Sequence, residues 1–195
     1  MSLLTTQTSD SIHIDNTMAA IDFGGLFSKY IEEYYSSSYQ ELVFLCIGTD
    51  RSTGDALGPL VGHKLERPLL KHPNVYVYGT LEEPVHAKNL KEQIDSIYDN
   101  LKNPFIVAID ACLGRVERVG YITIGHGPLN PGAGVNKQLP SVGNLHIMGI
   151  VNLGGYMEYM ILQNTRLQLV MKMADAISDG IKFSMWKLHK EKLLS

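Results

Sequence analysis

LVFLCIGTDRSTGDALG, residues 42–58, decides the fold class. Its first six residues are an unbroken apolar run that stops at Gly48, the pattern of a short strand buried on both faces. A Gly/Ser/Thr turn follows, and from Ala56 the apolar spacing becomes helical. Strand, tight loop and helix N-terminus together make an α/β unit. In open α/β sheets such loops lie at the carboxyl ends of the strands, where ligands bind. Asp55 therefore has two readings: a carboxylate facing a crevice, or an ordinary helix N-cap.

The same loop is not a phosphate cradle. A P-loop places Lys after its second glycine, whereas Gly54 is followed by Asp55, and GTDRSTGDALG does not match G-x-G-x-x-G. A cation or a polarised water suits a carboxylate there better than a phosphate does.

Working outward, residues 1–17 are polar and aperiodic and are expected to form a disordered tail, leaving 18–195 as a single α/β/α domain. From Phe23, apolar residues at 26, 27, 30, 31 and 34 mark one face of a helix. The helix opened at Ala56 is expected to end near Arg67, before Pro68. A second strand over 75–79 and an amphipathic helix over 90–101 complete β-α-β-α. The third strand, 105–109, is apolar throughout and is expected to end on Asp110. A fourth, 119–124, runs into a loop rich in Gly and Pro over 125–144, unusually long for a compact domain and so suggestive of a lid or binding loop. After the apolar run HIMGIV, residues 157–163 read as an edge strand. Thr165 and Gln168 have capping-box spacing before a closing helix. The pattern predicts a three-layer α/β/α domain with a mainly parallel sheet.

The 195 residues carry a net charge of -3, with 45% hydrophobic and 19% charged residues. That balance offers no basic excess for nucleic acid, and no apolar run approaches the roughly 20 residues of a membrane span. With no secretory signal at its start, the chain is expected to be cytoplasmic. Cys46 and Cys112 are too few for a disulfide framework and read as small apolar residues.

The partner of Asp55 is Asp110, in FIVAIDACLG. If the first and third strands are neighbours, as a 2-1-3 order makes them, both carboxylates reach one crevice. Such a pair can hold a hydrolytic water with one proton shared, or bind a divalent metal together with a histidine. The alternative for Asp110 is a carboxylate that only binds the amides of its own loop.

GTDRSTGDALGPLVG, FIVAIDACLGRVERVGYITI and PGAGVNK resemble segments of the bacterial spore germination protease and, more distantly, the endopeptidases that mature nickel-iron hydrogenases. The nearest resemblance is to the smaller sporulation proteins of the YyaC type. It covers about residues 42–180, and its motifs fall in the matching order. It implies the α/β/α fold of the hydrogenase-maturation proteases and a peptidase of sporulation or spore germination. The two aspartates implicated in peptide hydrolysis by the germination protease fall by motif on Asp55 and Asp110. The histidine motif of the metal-binding relatives is not reproduced. His126 is the nearest positional candidate for a metal with Asp55 and Asp110, with His146 and His86 behind it. The zymogen control of the longer germination protease does not carry over.

In the long loop, Gly132 and Gly134 permit close approach of an extended peptide, and Asn136 and Lys137 offer donors to a carbonyl or an oxyanion. The expected partner is a protein or peptide substrate, by resemblance a small acid-soluble spore protein or a precursor. The rival reading is a non-catalytic binding protein that keeps the cleft. A small-molecule hydrolase on the same carboxylates is a third.

Overall fold

The computed structural model of the chain describes residues 9–131 and 139–190. Six strands form one sheet in the order β1-β5-β6-β4-β2-β3. They are β1 (Ser9–His13), β2 (Glu41–Cys46), β3 (Val75–Tyr78), β4 (Pro104–Gly114), β5 (Tyr121–His126) and β6 (Leu145–Leu153). β2, β3, β4 and β6 pair in parallel, while β5 runs antiparallel to both β6 and β1. Only β5 is reversed, so the sheet is mainly parallel, and the expected order with β2 between β3 and β4 is found.

Alternation along the central strands sorts the core into two layers. Phe44, Val107, Ile109, Ile124 and Ile147 face the helices α1 (Ala19–Tyr34), α2 (Leu57–Leu69) and α5 (Leu167–Lys190). Val43, Leu45, Ile106 and Ala108 face α3 (Leu90–Asn100), together with Val85, Leu129 and Val142. A parallel sheet needs both faces covered, and the near-continuous apolar runs of β2 and β4 follow from that.

Five expectations require correction. Ser9–His13 is not tail but an edge strand, paired with β5 from Ser9↔Gly125 to His13↔Tyr121. Its Ile12 packs on the core, a single apolar contact too sparse to show as periodicity; residues 1–8 lie outside the described residues. Residues 157–163 are not an edge strand: Glu158–Gln163 is a short helix, α4, entered through Met157 in the left-handed region at φ 62. Thr165 does not cap α5. Its hydroxyl donates to the Ile161 carbonyl at 2.9 Å and accepts from Asn152 Nδ2 at 3.2 Å, tying α4 to the end of β6. Finally, α2 runs through Pro68 to Leu69, and β4 continues four residues past Asp110.

Candidate active site

The site forms where β2 stops and β4 does not. Cys46, the last residue of β2, pairs with Ile109, and the Ile47 amide donates to the Ile109 carbonyl at 2.7 Å. Asp110 is the next residue on β4, so its outer neighbour has already turned away into the loop. The β2 chain leads through α2 to β3 on one side, and the chain then crosses to β4 on the other. This is the switch point of a doubly wound sheet, where a crevice must open.

The β2 loop folds back on itself. The Thr49 amide donates to the Asp55 carbonyl at 3.0 Å, and the Gly48 amide donates to the Val85 carbonyl at 2.8 Å. Gly48 holds φ 144, and a Cβ there would lie 2.0 Å from the Asp55 carbonyl oxygen, so only glycine closes this loop. Asp55 falls in a single 3-10 turn, Gly54–Ala56, one residue before the N-cap position of α2, which is Ala56 and has no side-chain cap. Asp55 is therefore not the cap of the helix it introduces, and its carboxyl is left for the crevice.

Asp55 and Asp110 line one cavity of about 620 Å³ with Ser52, His86, Glu158 and Tyr159. Asp110 is 7% exposed, and its Oδ1 accepts the Ala111 amide at 2.8 Å. Burial pushes its carboxyl well above the usual carboxylate range, and the nearby Asp55 charge pushes in the same direction. Burial also raises Asp55, but the Thr49 amide and His86 pull the other way. Both carboxyls are thus held toward their protonated forms, Asp110 the more strongly.

Two residues that line the cavity carry a buried polar atom without a partner. Among the described residues, Ser52 Oγ and His86 Nδ1 are buried with no hydrogen-bond partner. Cys112 also lines the cavity, but burial and then Asp110 push its thiol up to about 12, which excludes a thiolate nucleophile near neutrality.

The histidines divide differently from expectation. His126 shares its β5 face with Ile122 and Ile124, the face covered by α1, and stacks on Tyr34 at 4.1 Å between ring centroids. Asp110 shares the opposite face with Ile106 and Ala108. His126 is thus removed from the candidate site by strand alternation. His146 lines the cavity, but its Nδ1 is engaged with the Gly127 carbonyl at 2.9 Å. Among the described residues no three His, Cys, Asp or Glu side chains converge on a point where a metal could be held. A divalent ion on Asp55, Asp110 and His126 does not fit this arrangement.

Gly132, Gly134, Asn136 and Lys137 lie outside the described residues. Pro131 and Leu139, which flank that segment, both line the cavity. Sequence reasoning missed Ser52, Glu158 and Tyr159. Ser52 is indistinguishable by composition from its neighbours in the loop, and α4 was read with the wrong period.

The hydrogenase maturation protease HycI of Thermococcus kodakarensis KOD1 is 18% identical, with a TM-score of 0.43 over 78% of this chain and 99% of that one. The uncharacterized protein YyaC of Bacillus subtilis (strain 168) is 56% identical over 162 residues, 80% of this chain and 78% of its own. The family profile described as protein of unknown function DUF1256 matches residues 11–180. With most of its length inside that match, the chain belongs to the DUF1256 family, alongside YyaC.

Proposed function

We propose that the protein is a peptidase in which Asp55 and Asp110 share the activation of water. The observation that carries this reading is the pair itself: two carboxyls from adjoining segments line one cavity, and burial holds both toward the protonated form. An ionised Asp55 takes a proton from water as its oxygen bonds to the peptide carbonyl carbon. Asp110 gives its proton to the amide nitrogen as the C–N bond breaks. The proton then returns from Asp55 to Asp110 through solvent. In this reading Ser52 and His86, which line the same cavity, meet the carbonyl oxygen as it gains charge. Among the described residues no third ligating side chain joins the two aspartates.

The substrate class, an extended polypeptide of the sporulating cell, rests on the resemblance to spore proteases. The cavity supports it through its size and its open rim, where α4 and the two ends of the long loop meet. No helix among the described residues is long and apolar enough to cross a membrane.

The test is mass spectrometry of spore-protein extracts incubated with the protein and with Asp55→Asn and Asp110→Asn. Cleavage lost by about a thousandfold in both variants is expected. The pH profile should be bell-shaped, failing at low pH as Asp55 is protonated and at high pH as Asp110 ionises. Cleavage undiminished in both variants overturns the assignment. Stable capture of an uncut polypeptide by the unmodified protein establishes the binding-protein reading in its place.

A further inference from the structure

A second cavity, of about 360 Å³, lies at the far end of the molecule, between the turn that follows α2 and the last turns of α5. Lys182, Trp186 and His189 stand at i, i+4 and i+7 of α5 and so share one face of it. Lys71 and His72 come from the α2 side, where the His72 amide is fixed by the Leu69 carbonyl at 2.9 Å. The His72 and His189 rings meet edge to face at 5.4 Å between centroids. Trp186 is 59% exposed, with Phe183 beside it at 6.3 Å and the Lys190 ammonium 5.4 Å from its ring centroid.

The charges here are unbalanced. No carboxylate lines the cavity. Lys182 is paired with Asp179 at 2.6 Å, a carboxylate outside the lining. The groups that face His72 are Lys71 on its own turn and Lys182 and His189 from α5. Burial first, then His189 and Lys71, make His72 harder to protonate. Basic side chains thus gather around a half-covered indole in a concave site, an arrangement that suits an aromatic anion.

We propose that this cavity binds a small planar aromatic anion, a carboxylate or a phosphate ester, whose ring lies against Trp186 and whose charge is met by Lys71, His72 and His189. The volume sits near the lower end of ordinary ligand pockets, roughly 300–1,000 Å³, which suits one or two rings rather than a chain. Because the anion favours a protonated His72, binding is coupled to proton uptake and strengthens as pH falls. The site is independent of the aspartate pair and of any peptidase activity.

Trp186 is the single tryptophan of the chain, so its fluorescence reports on this cavity alone. The full-length protein is titrated at pH 6 and pH 8 with isophthalate, adenosine monophosphate, inorganic phosphate and neutral adenosine. The expected result is a saturable change with at least one aromatic anion, at least fivefold tighter at pH 6, and weakened at least tenfold in Lys71→Gln and His72→Gln. Circular dichroism confirms that both variants remain folded. A response to adenosine monophosphate that phosphate competes away assigns a phosphate ester, and a response to isophthalate assigns a carboxylate. The proposal is overturned if neither aromatic anion saturates the signal, if adenosine binds as tightly as its monophosphate and isophthalate does not bind, or if both folded variants bind unchanged.

Discussion

The two edges of the sheet treat charge in opposite ways. At the carboxyl edge, where β2 ends beside Asp110, the cavity gathers acids; at the other, below α2 and α5, it gathers Lys71, His72, Lys182 and His189. Both cavities penalise ionisation by burial, raising the acids and lowering His72. The difference lies in how the groups are held. Asp55 and Asp110 are fixed by backbone, in a glycine-closed loop and in mid-strand. The basic groups stand on helix ends and a surface turn, where a side chain can be exchanged without moving the sheet. The acidic edge is built for positioning, and the basic edge for accommodation.

The largest expected effect comes from removing the acidic edge's charge. Asp110→Asn should lose about a thousandfold of cleavage and yet fold more stably at neutral pH. The sign follows from linkage. A carboxyl whose folded-state pKa is raised is most favourable to folding below the unfolded value, roughly 3.9, and that contribution is lost as pH climbs toward the folded value. Asparagine keeps the Ala111 contact and has nothing to ionise. Thermal unfolding at pH 7 should show a higher Tm for the variant, by about 2–4 °C for each kcal/mol gained. The gap should close near pH 3. A variant less stable than the parent at pH 7 would break the account of burial at this edge.

Next in size is the backbone that positions Asp55. A Cβ on Gly58 would lie 2.1 Å from the Ile47 carbonyl oxygen, backbone that cannot swing aside. Gly58→Ala should therefore push α2 off the end of β2, at a cost of about 3 kcal/mol of stability. Urea unfolding reads the loss, and residual cleavage measured well below the midpoint shows whether Asp55 moved with the helix. Lys71, by contrast, is exposed on a surface turn, and Lys71→Gln should leave stability within about 0.5 kcal/mol of the parent.

Much of this was legible in the residues, and the illegible parts share a cause. The runs LVFLC and FIVAI could only be central strands, and once they were neighbours Asp55 and Asp110 had to meet near the switch point. Ser9–His13 was missed because an edge strand buries one face weakly and borrows its order from β5. MEYMILQ failed for a related reason: seven mostly apolar residues fit either period, and the choice was made by Met157 turning left-handed and by Asn152 and Thr165 fastening α4. His126 was placed by proximity in sequence, and strand alternation, a property of the pairing and not of spacing, put it across the sheet.

The smallest expected effect separates two serines that look alike. Ser28 and Ser52 are both buried, at 2% and 7% exposure, and the hydroxyl of each lacks a partner. An unpaired buried hydroxyl opposes folding, so replacing either by alanine should cost nothing in stability and can gain up to about 1 kcal/mol. Their surroundings differ: Ser28 is enclosed within α1, whereas Ser52 lines the cavity of Asp55. If the Ser52 hydroxyl waits for the substrate carbonyl, Ser52→Ala should lower kcat/KM by about tenfold, the worth of one modest hydrogen bond. Ser28→Ala should leave it unchanged. Equal kinetics in the two variants would reduce Ser52 to the same unremarkable packing defect as Ser28, and would leave His86 as the remaining candidate to meet the carbonyl oxygen.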